Sequence, residues 1–558
     1  MRVSRQANLD RARRIVEENY DLLCPSPLRT VTMGFNTFDC IDADIGRMTD
    51  SVNARLGVEL TAFQTAITQA IEAVFGSLHD KDGHPWLQTR RATVTPLETM
   101  TRAAVVSGGC APADIVSFAQ AIDSKVRSCL GQDEHGEPKA GECVFLGGAG
   151  LLADRGLSAE RDTYLEALKL MLVPTKNPDQ TWSGPPTEIF NVNITVGSTQ
   201  SGIHLDSVRA AAKIIREVGK VDIEYTTWKY EHLTPEEKAE VERIKEQIML
   251  KWPYTNVSPF FSNLARLAVF VNAPQENPFM AGGFAGLEAP ARTISVGING
   301  AGVIQKAILA AGSNSMNDII ASIRYYAGQL YEVAEAVRFE VIARMNDQAV
   351  KINEADGVVD LSVASTPDRD SQGNPTNSIA AALSALGVEA GAHGSIAAVG
   401  AIIDNLKKIG SGTVTYAGGL SGTFIPVSED AGMADAVASK WLTFPRFLCM
   451  TSVCSVGTDM FIAYWPQDMT DANFEAQIAG MLLDEMAIGV YTNKTTSCRI
   501  VPVQFMPPES YWFVVLMGGA GLLGYAPVMD LGFDALPAPT TLVGREGSLP
   551  APITSFRN

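Results

Sequence analysis

The stretch Leu264 to Gly302, LARLAVFVNAPQENPFMAGGFAGLEAPARTISVGINGAG, decides how the rest of the chain is read. Leu264 to Val271 is a short apolar run with β-branched residues, ending at Asn272. Its length favours a buried strand over a helix. Thr293 to Gly297 reads as a second strand. Between them runs a loop rich in Gly and Pro that carries Glu276, Asn277 and Met280, and Gly297, Gly300 and Gly302 then lead into a helical pattern. Polar loops at the ends of buried strands are where α/β proteins keep their sites.

Outward from that stretch the same grammar repeats. Short apolar runs at Arg29 to Gly34, Ala92 to Pro96, Cys143 to Gly150, Glu188 to Gly197, Val358 to Ala364, Ser411 to Asp430, Cys449 to Gly457, Cys498 to Val503 and Trp512 to Met517 read as strands, and helical patterns separate most of them. Alternation of this kind implies parallel βαβ units. Thr234, Pro235 and Glu237 form an N-cap, a first-turn proline and a capping-box acid, opening a charged helix to Trp252. Neither a repeat of fixed period nor a long linker divides the chain. One barrel-like domain over residues 1–558 is expected, with insertions near residues 62–90, 130–142, 219–258 and 504–512.

Composition narrows the partners. A net charge of -18 argues against nucleic acid and anionic membranes, which need Lys and Arg to neutralise phosphate. No apolar run reaches the roughly 18 residues of a membrane span. The N-terminal MRVSRQANLDRARR lacks the apolar core of a secretory signal. Eight dispersed cysteines without a CxxC pair fit reduced thiols and a cytoplasmic protein. With only six histidines, a His- or Cys-rich zinc site is not expected.

Several stretches together resemble the DUF711 or UPF0210 proteins of bacteria and archaea. They include RTVTMGFNTFDCIDADI from Arg29, NVNITVGSTQSGIH from Asn191, FVNAPQENPFMAGGF from Phe270, GAHGSIAA from Gly391, GGLSGTFIPVSEDAGM from Gly418, TSVCSVGTDM from Thr451 and DEMAIGVYTNKTTSCRI from Asp484. The resemblance implies a ten-stranded β/α barrel, similar to that of pyruvate formate-lyase and the large subunit of ribonucleotide reductase. It also implies an ACT-domain protein as a partner, and it implies no reaction. Against it, this chain reads as longer, the extra residues falling in the four insertions.

The superfamily likeness raises a radical reading in which Cys454 abstracts hydrogen. The Arg-Val-x-Gly-aromatic segment of such enzymes is absent, since Gly524 and Tyr525 follow Gly521, Leu522 and Leu523. Gly519, Gly521 and Gly524 have dinucleotide-loop spacing, but Pro527 breaks the helix that should follow. A tight glycine turn is the better reading. Gly197, Ser198, Thr199, Ser201 and Gly202 have P-loop spacing with Ile203 in place of the lysine, leaving either an anion cradle or a simple helix cap.

His393, between glycines at a helix start, is a general acid/base or a structural residue. Lys494 before Thr495 and Thr496 would hold a carboxylate, form a Schiff base or stay solvated. Ser421 and Gly422 in GLSGT, with Asn277 and Met280, are expected to line the ligand. Asp39, Asp42, Glu429 and Asp430 lie at strand exits, where they would cap helices or hold one Mg²⁺ or Ca²⁺ ion. No organic cofactor is expected. The reading at this stage is a homo-oligomeric lyase or isomerase acting by proton transfer on a small anionic metabolite. Its alternative is a non-catalytic barrel that senses an amino acid-like ligand.

Overall fold

The computed structural model describes residues 5–23, 25–130, 143–152, 160–273, 290–409, 416–504, 508, 511–517 and 521–551. Five parallel strands form the first half of a barrel: β1 (Leu28–Phe35), β2 (Leu87–Val94), β3 (Cys143–Leu152), β4 (Phe190–Ser198) and β5 (Leu267–Val271). The second half starts with β6 (Arg292–Ile298), antiparallel to β1, followed by β7 (Val359–Asp360), parallel to β6. Parallel bridges Val359 to Ala417, Val363 to Thr423 and Pro426 to Asp459 carry the wall onward. Hydrogen bonds from Ser497 N to Val456 O and Arg499 N to Thr458 O then reach β8 (Thr496–Cys498), whose antiparallel pairing with β5 closes the ring.

Ten strand segments therefore close a barrel of two parallel halves joined at two antiparallel seams, β1/β6 and β5/β8. Within the barrel wall, the expectation of parallel units fails at those two seams. β5 and β6, consecutive in the chain, do not pair; they sit at opposite seams. Residues 274–289 join them, so Glu276, Asn277 and Met280 lie outside the described residues.

Four strands show why the barrel has a distinct inside. Val31, Met33 and Phe35, then Ala92 and Val94, Val192, Ile194 and Val196, and Ile294, Val296 and Ile298 belong to the main apolar core. The residues between them, Thr30 and Thr32, Arg91 and Thr93, Asn191, Asn193 and Thr195, and Thr293 and Ser295, are polar and buried. Strand side chains alternate between faces, so the polar set shares the other face. The register confirms it, placing Thr32 opposite both Arg91 and Ser295. A small separate cluster, Ala268, Phe270, Ala364, Leu420, Phe424 and Val456, completes the inner wall on the remaining strands.

Other expectations are revised by packing. Cys449 to Gly457 is not a strand: the helix Phe444–Met450 occupies its start, and turns follow it. Residues 219–258, expected as an insertion, are built into neighbouring elements. The helix Leu205–Glu231 runs unbroken through Gly219, and the strand Asn256–Phe261 pairs in parallel with Tyr511–Met517. The capping box at Thr234 and Glu237 forms as read. Gly521–Met529 pairs antiparallel with Tyr511–Met517, so the described part of GGAGLLG, from Gly521 onward, is strand and does not lead into a helix.

Candidate functional site

The seam between β5 and β8 gathers the polar groups that the sequence scatters. Asn272, directly after β5, has a left-handed backbone with φ of 50°. Its Oδ1 accepts from Thr199 N at 2.8 Å, and its Nδ2 donates to Lys494 O at 2.8 Å, Thr199 Oγ1 at 3.1 Å and Gly489 O at 3.3 Å. Its own carbonyl accepts from Thr495 Oγ1 at 2.7 Å. One side chain thus ties the turn after β4, the end of the helix Asp471–Thr492 and the start of β8.

Held by that knot, Lys494 reaches across to the next wall segment. Its Nζ donates to Thr451 O and to Cys454 O, and lies 4.0 Å from Cys454 Sγ. Those carbonyls belong to the turns that end the helix Phe444–Met450, where exposed C=O groups favour a cation. Among the described residues no carboxylate lies within ion-pair distance of Lys494. Cys454 is buried and its Sγ donates weakly to Thr451 O at 3.8 Å. Burial pushes its thiol up against the opposing pull of Lys494, so it is not poised as a thiolate.

Behind this pair sits Glu485. Burial pushes its carboxyl up to about 8, although Thr458 N donates to it at 2.9 Å and Thr458 Oγ1 also bonds it. The charge of Lys494 acts on both Glu485 and Cys454. The result is a half-buried ammonium beside two groups that hold their protons.

The remaining expected site residues fall elsewhere. His393 is exposed at the start of the helix Phe444–Met450, its ring nitrogens 3.2 and 3.4 Å from the Arg446 guanidinium. Lys494 instead contacts Thr451 and Cys454, past the other end of that helix. Gly197 to Gly202 is a hairpin rather than a strand-to-helix cradle, because β4 folds back on Gly202–His204. Thr199 N is taken by Asn272 and Ser201 N by Ser198 Oγ at 3.1 Å, so two of the loop's N–H groups already have acceptors. Ser421 serves the wall: its Oγ accepts from Leu361 N at 3.1 Å and donates to Gly418 O. Beside it Gly422 packs against Ser455 with no room for a side chain.

The four carboxylates proposed for a metal do not converge. Asp39 pairs with Arg55 at 2.7 Å and Asp42 with Arg47 at 2.9 Å, both beyond the C-terminal end of β1. Glu429 lies at the other end of β1, between Arg29 at 3.1 Å and Arg499 at 2.9 Å. Asp430 caps the helix Ala431–Ala438 and accepts from Ile379 N at 2.7 Å. No group of three His, Cys, Asp or Glu suited to a metal occurs among the described residues.

Comparison with known proteins gives the family. A profile described as "Uncharacterised ACR (DUF711)" matches residues 184–507. A UPF0210 protein of Ligilactobacillus salivarius is 31% identical over 551 residues, covering 99% of both chains. The chain belongs to the DUF711/UPF0210 family. A UPF0210 protein of Methanococcoides burtonii is 32% identical over 98% of this chain and 97% of its own. One from Pelobacter propionicus is 33% identical over 95% of each. Relatives covered end to end are not shorter, which corrects the expectation of a longer chain.

Among solved structures, the anaerobic ribonucleotide reductase of Thermotoga maritima in complex with dATP and CTP aligns with a TM-score of 0.40 and 8% identity, over 94% of this chain and 86% of that one. No helix among the described residues is long and apolar enough to cross a membrane.

Sequence reasoning named Lys494 and Cys454 but missed Asn272, Glu485 and the polar inner face. The signal for the last was present as period-two Thr and Asn in TVT, NVNIT and RTIS.

Proposed function

We propose that this protein is an enzyme that binds a small anionic metabolite at the β5/β8 seam and transforms it by proton transfer, as a lyase or isomerase. The observation that carries the reading is Lys494, whose ammonium donates to two main-chain carbonyls and meets no carboxylate among the described residues, beside Cys454 and Glu485, both raised by burial. A fixed cation without a carboxylate partner among the described residues suits an anionic ligand, and perturbed acids next to it suit proton transfer. Lys494 takes the anchoring role, and His393 leaves the scheme because it stands beside Arg446 on the exterior. A Mg²⁺ or Ca²⁺ ion is not part of the proposal, since each candidate carboxylate already has its own donor.

The test is a thermal-shift panel of keto acids, hydroxy acids and sugar phosphates on the full chain and on Lys494→Met. A ligand at about 100 times its Kd adds roughly 2.7 kcal/mol to the stability of the native state. A shift in the wild type that Lys494→Met abolishes supports the proposal. An equal shift in both proteins, or none across the panel, overturns it.

A further inference from the structure

Away from the seam, on the outer flank of the barrel, a cavity of about 470 Å³ opens between the end of the helix Pro235–Lys251 and the helices Ala301–Ala310, Ile379–Ala385 and Ala431–Ala438. That volume is within the roughly 300–1,000 Å³ of small-molecule sites. Small residues, Ala380, Ala381, Ala385, Gly432 and Ala436, leave the space between the helices open. Trp441 stands at the rim, 52% exposed and without an aromatic partner among the described residues.

The cavity wall carries charges of both signs. Asp435 is buried and takes two bonds from Arg369, at 2.8 and 3.0 Å, and one from Trp252 Nε1 at 2.7 Å. Arg369, whose side chain is fully buried, already neutralises it. Lys251 Nζ, 2.9 Å from the same carboxylate and 42% exposed, is therefore a surplus positive charge fixed at the wall. Glu389 lines the cavity too, bonded by Ser384 Oγ at 2.9 Å and with no cation in ion-pair contact among the described residues. An apolar body, one cation that shares its carboxylate with a buried arginine and one carboxylate with no cation among the described residues call for an aromatic zwitterion.

We propose that this cavity is a second ligand site, selective for an aromatic α-amino acid: ring against the alanine floor and Trp441, carboxylate toward Lys251, ammonium toward Glu389. The site shares no residue with the Lys494 seam and stands or falls independently of it.

Isothermal titration of the full chain with L-phenylalanine, phenylacetate and phenethylamine tests each contact. Lys251→Met is expected to weaken phenylalanine and phenylacetate about fivefold and leave phenethylamine unchanged; Glu389→Gln should do the reverse for the two amines, a fivefold change corresponding to one charged contact of ordinary strength. Ser384→Phe, on an exposed position lining the cavity, fills it without touching the core and should abolish all three. Lys494→Met should leave phenylalanine binding intact. No binding at millimolar ligand, binding indifferent to Ser384→Phe, or equal losses for all three probes in both charge variants overturns the proposal.

Discussion

Asn272 and Lys494 come from opposite sides of the antiparallel β5/β8 seam, and the Asn272 amide donates to the Lys494 carbonyl at 2.8 Å from a backbone with φ of 50°. The contact aligns the lysine by its main chain while leaving its ammonium to reach Thr451 and Cys454. Two separate energies meet in Asn272: a set of polar contacts and a left-handed backbone.

Those two energies predict different outcomes for two truncations. Asn272→Ala loses the side-chain bonds and places an alanine at positive φ, costing about 2–4 kcal/mol. Asn272→Gly loses the same bonds without the backbone penalty and should be about 1 kcal/mol more stable than the alanine variant. Thermal midpoints of the two variants check the order. An alanine variant at or above the glycine variant would contradict it.

Glu485 predicts a pH dependence. Its folded carboxyl is raised to about 8, above the ordinary carboxylate range, so the folded protein holds a proton that the unfolded chain releases. Its stabilising contribution is complete below the unfolded value, near 4.5, and is lost as pH rises through 8. Other buried carboxyls such as Asp222, raised to about 7, act in the same sense. The informative quantity is the difference between wild type and Glu485→Gln. Between pH 5 and 9 the wild-type denaturation midpoint should fall more steeply, and parallel curves would refute the assignment.

Thiol exposure separates the cysteines. Cys449 is exposed and Cys110 and Cys129 are partly so, whereas Cys40, Cys454 and Cys498 are buried. Iodoacetamide followed by peptide mapping should label Cys449 first and Cys454 only after unfolding. Early labelling of Cys454 would instead favour a reactive role for it.

The ion pairs differ by burial. Arg499, within 2.5 Å of Asp459 and 2.9 Å of Glu429, is buried with both. Arg499→Met strands the buried Asp459, leaves Glu429 to Arg29 alone, and should cost about 3–5 kcal/mol or prevent folding. Arg47→Met, which breaks an exposed pair with Asp42, should cost less than about 1 kcal/mol. Urea denaturation of Arg47→Met and soluble yield of Arg499→Met give the comparison, and similar behaviour of the two would show that burial is not the deciding factor. Because all four proposed metal carboxylates are likewise engaged, added Mg²⁺ or Ca²⁺ should leave the wild-type midpoint unmoved.

What the sequence by itself determined is local or shared with relatives. The capping box at Thr234, the runs that became β1, β4 and β6, and the family segments from Arg29 onward were all legible, because caps and strand alternation act over a few residues. The polar inner face was legible in principle through the same alternation. Only the tertiary structure decided which candidates meet. Lys494 touches Thr451 and Cys454 some 40 positions away, and Asn272 reaches Lys494 across 222. Those meetings depend on the two antiparallel seams that close the ring, and seam placement follows from the packing of the whole barrel. For the same reason His393, so suggestive between its glycines, ends beside Arg446 outside the wall, and the carboxylates of one imagined metal site end at opposite ends of β1.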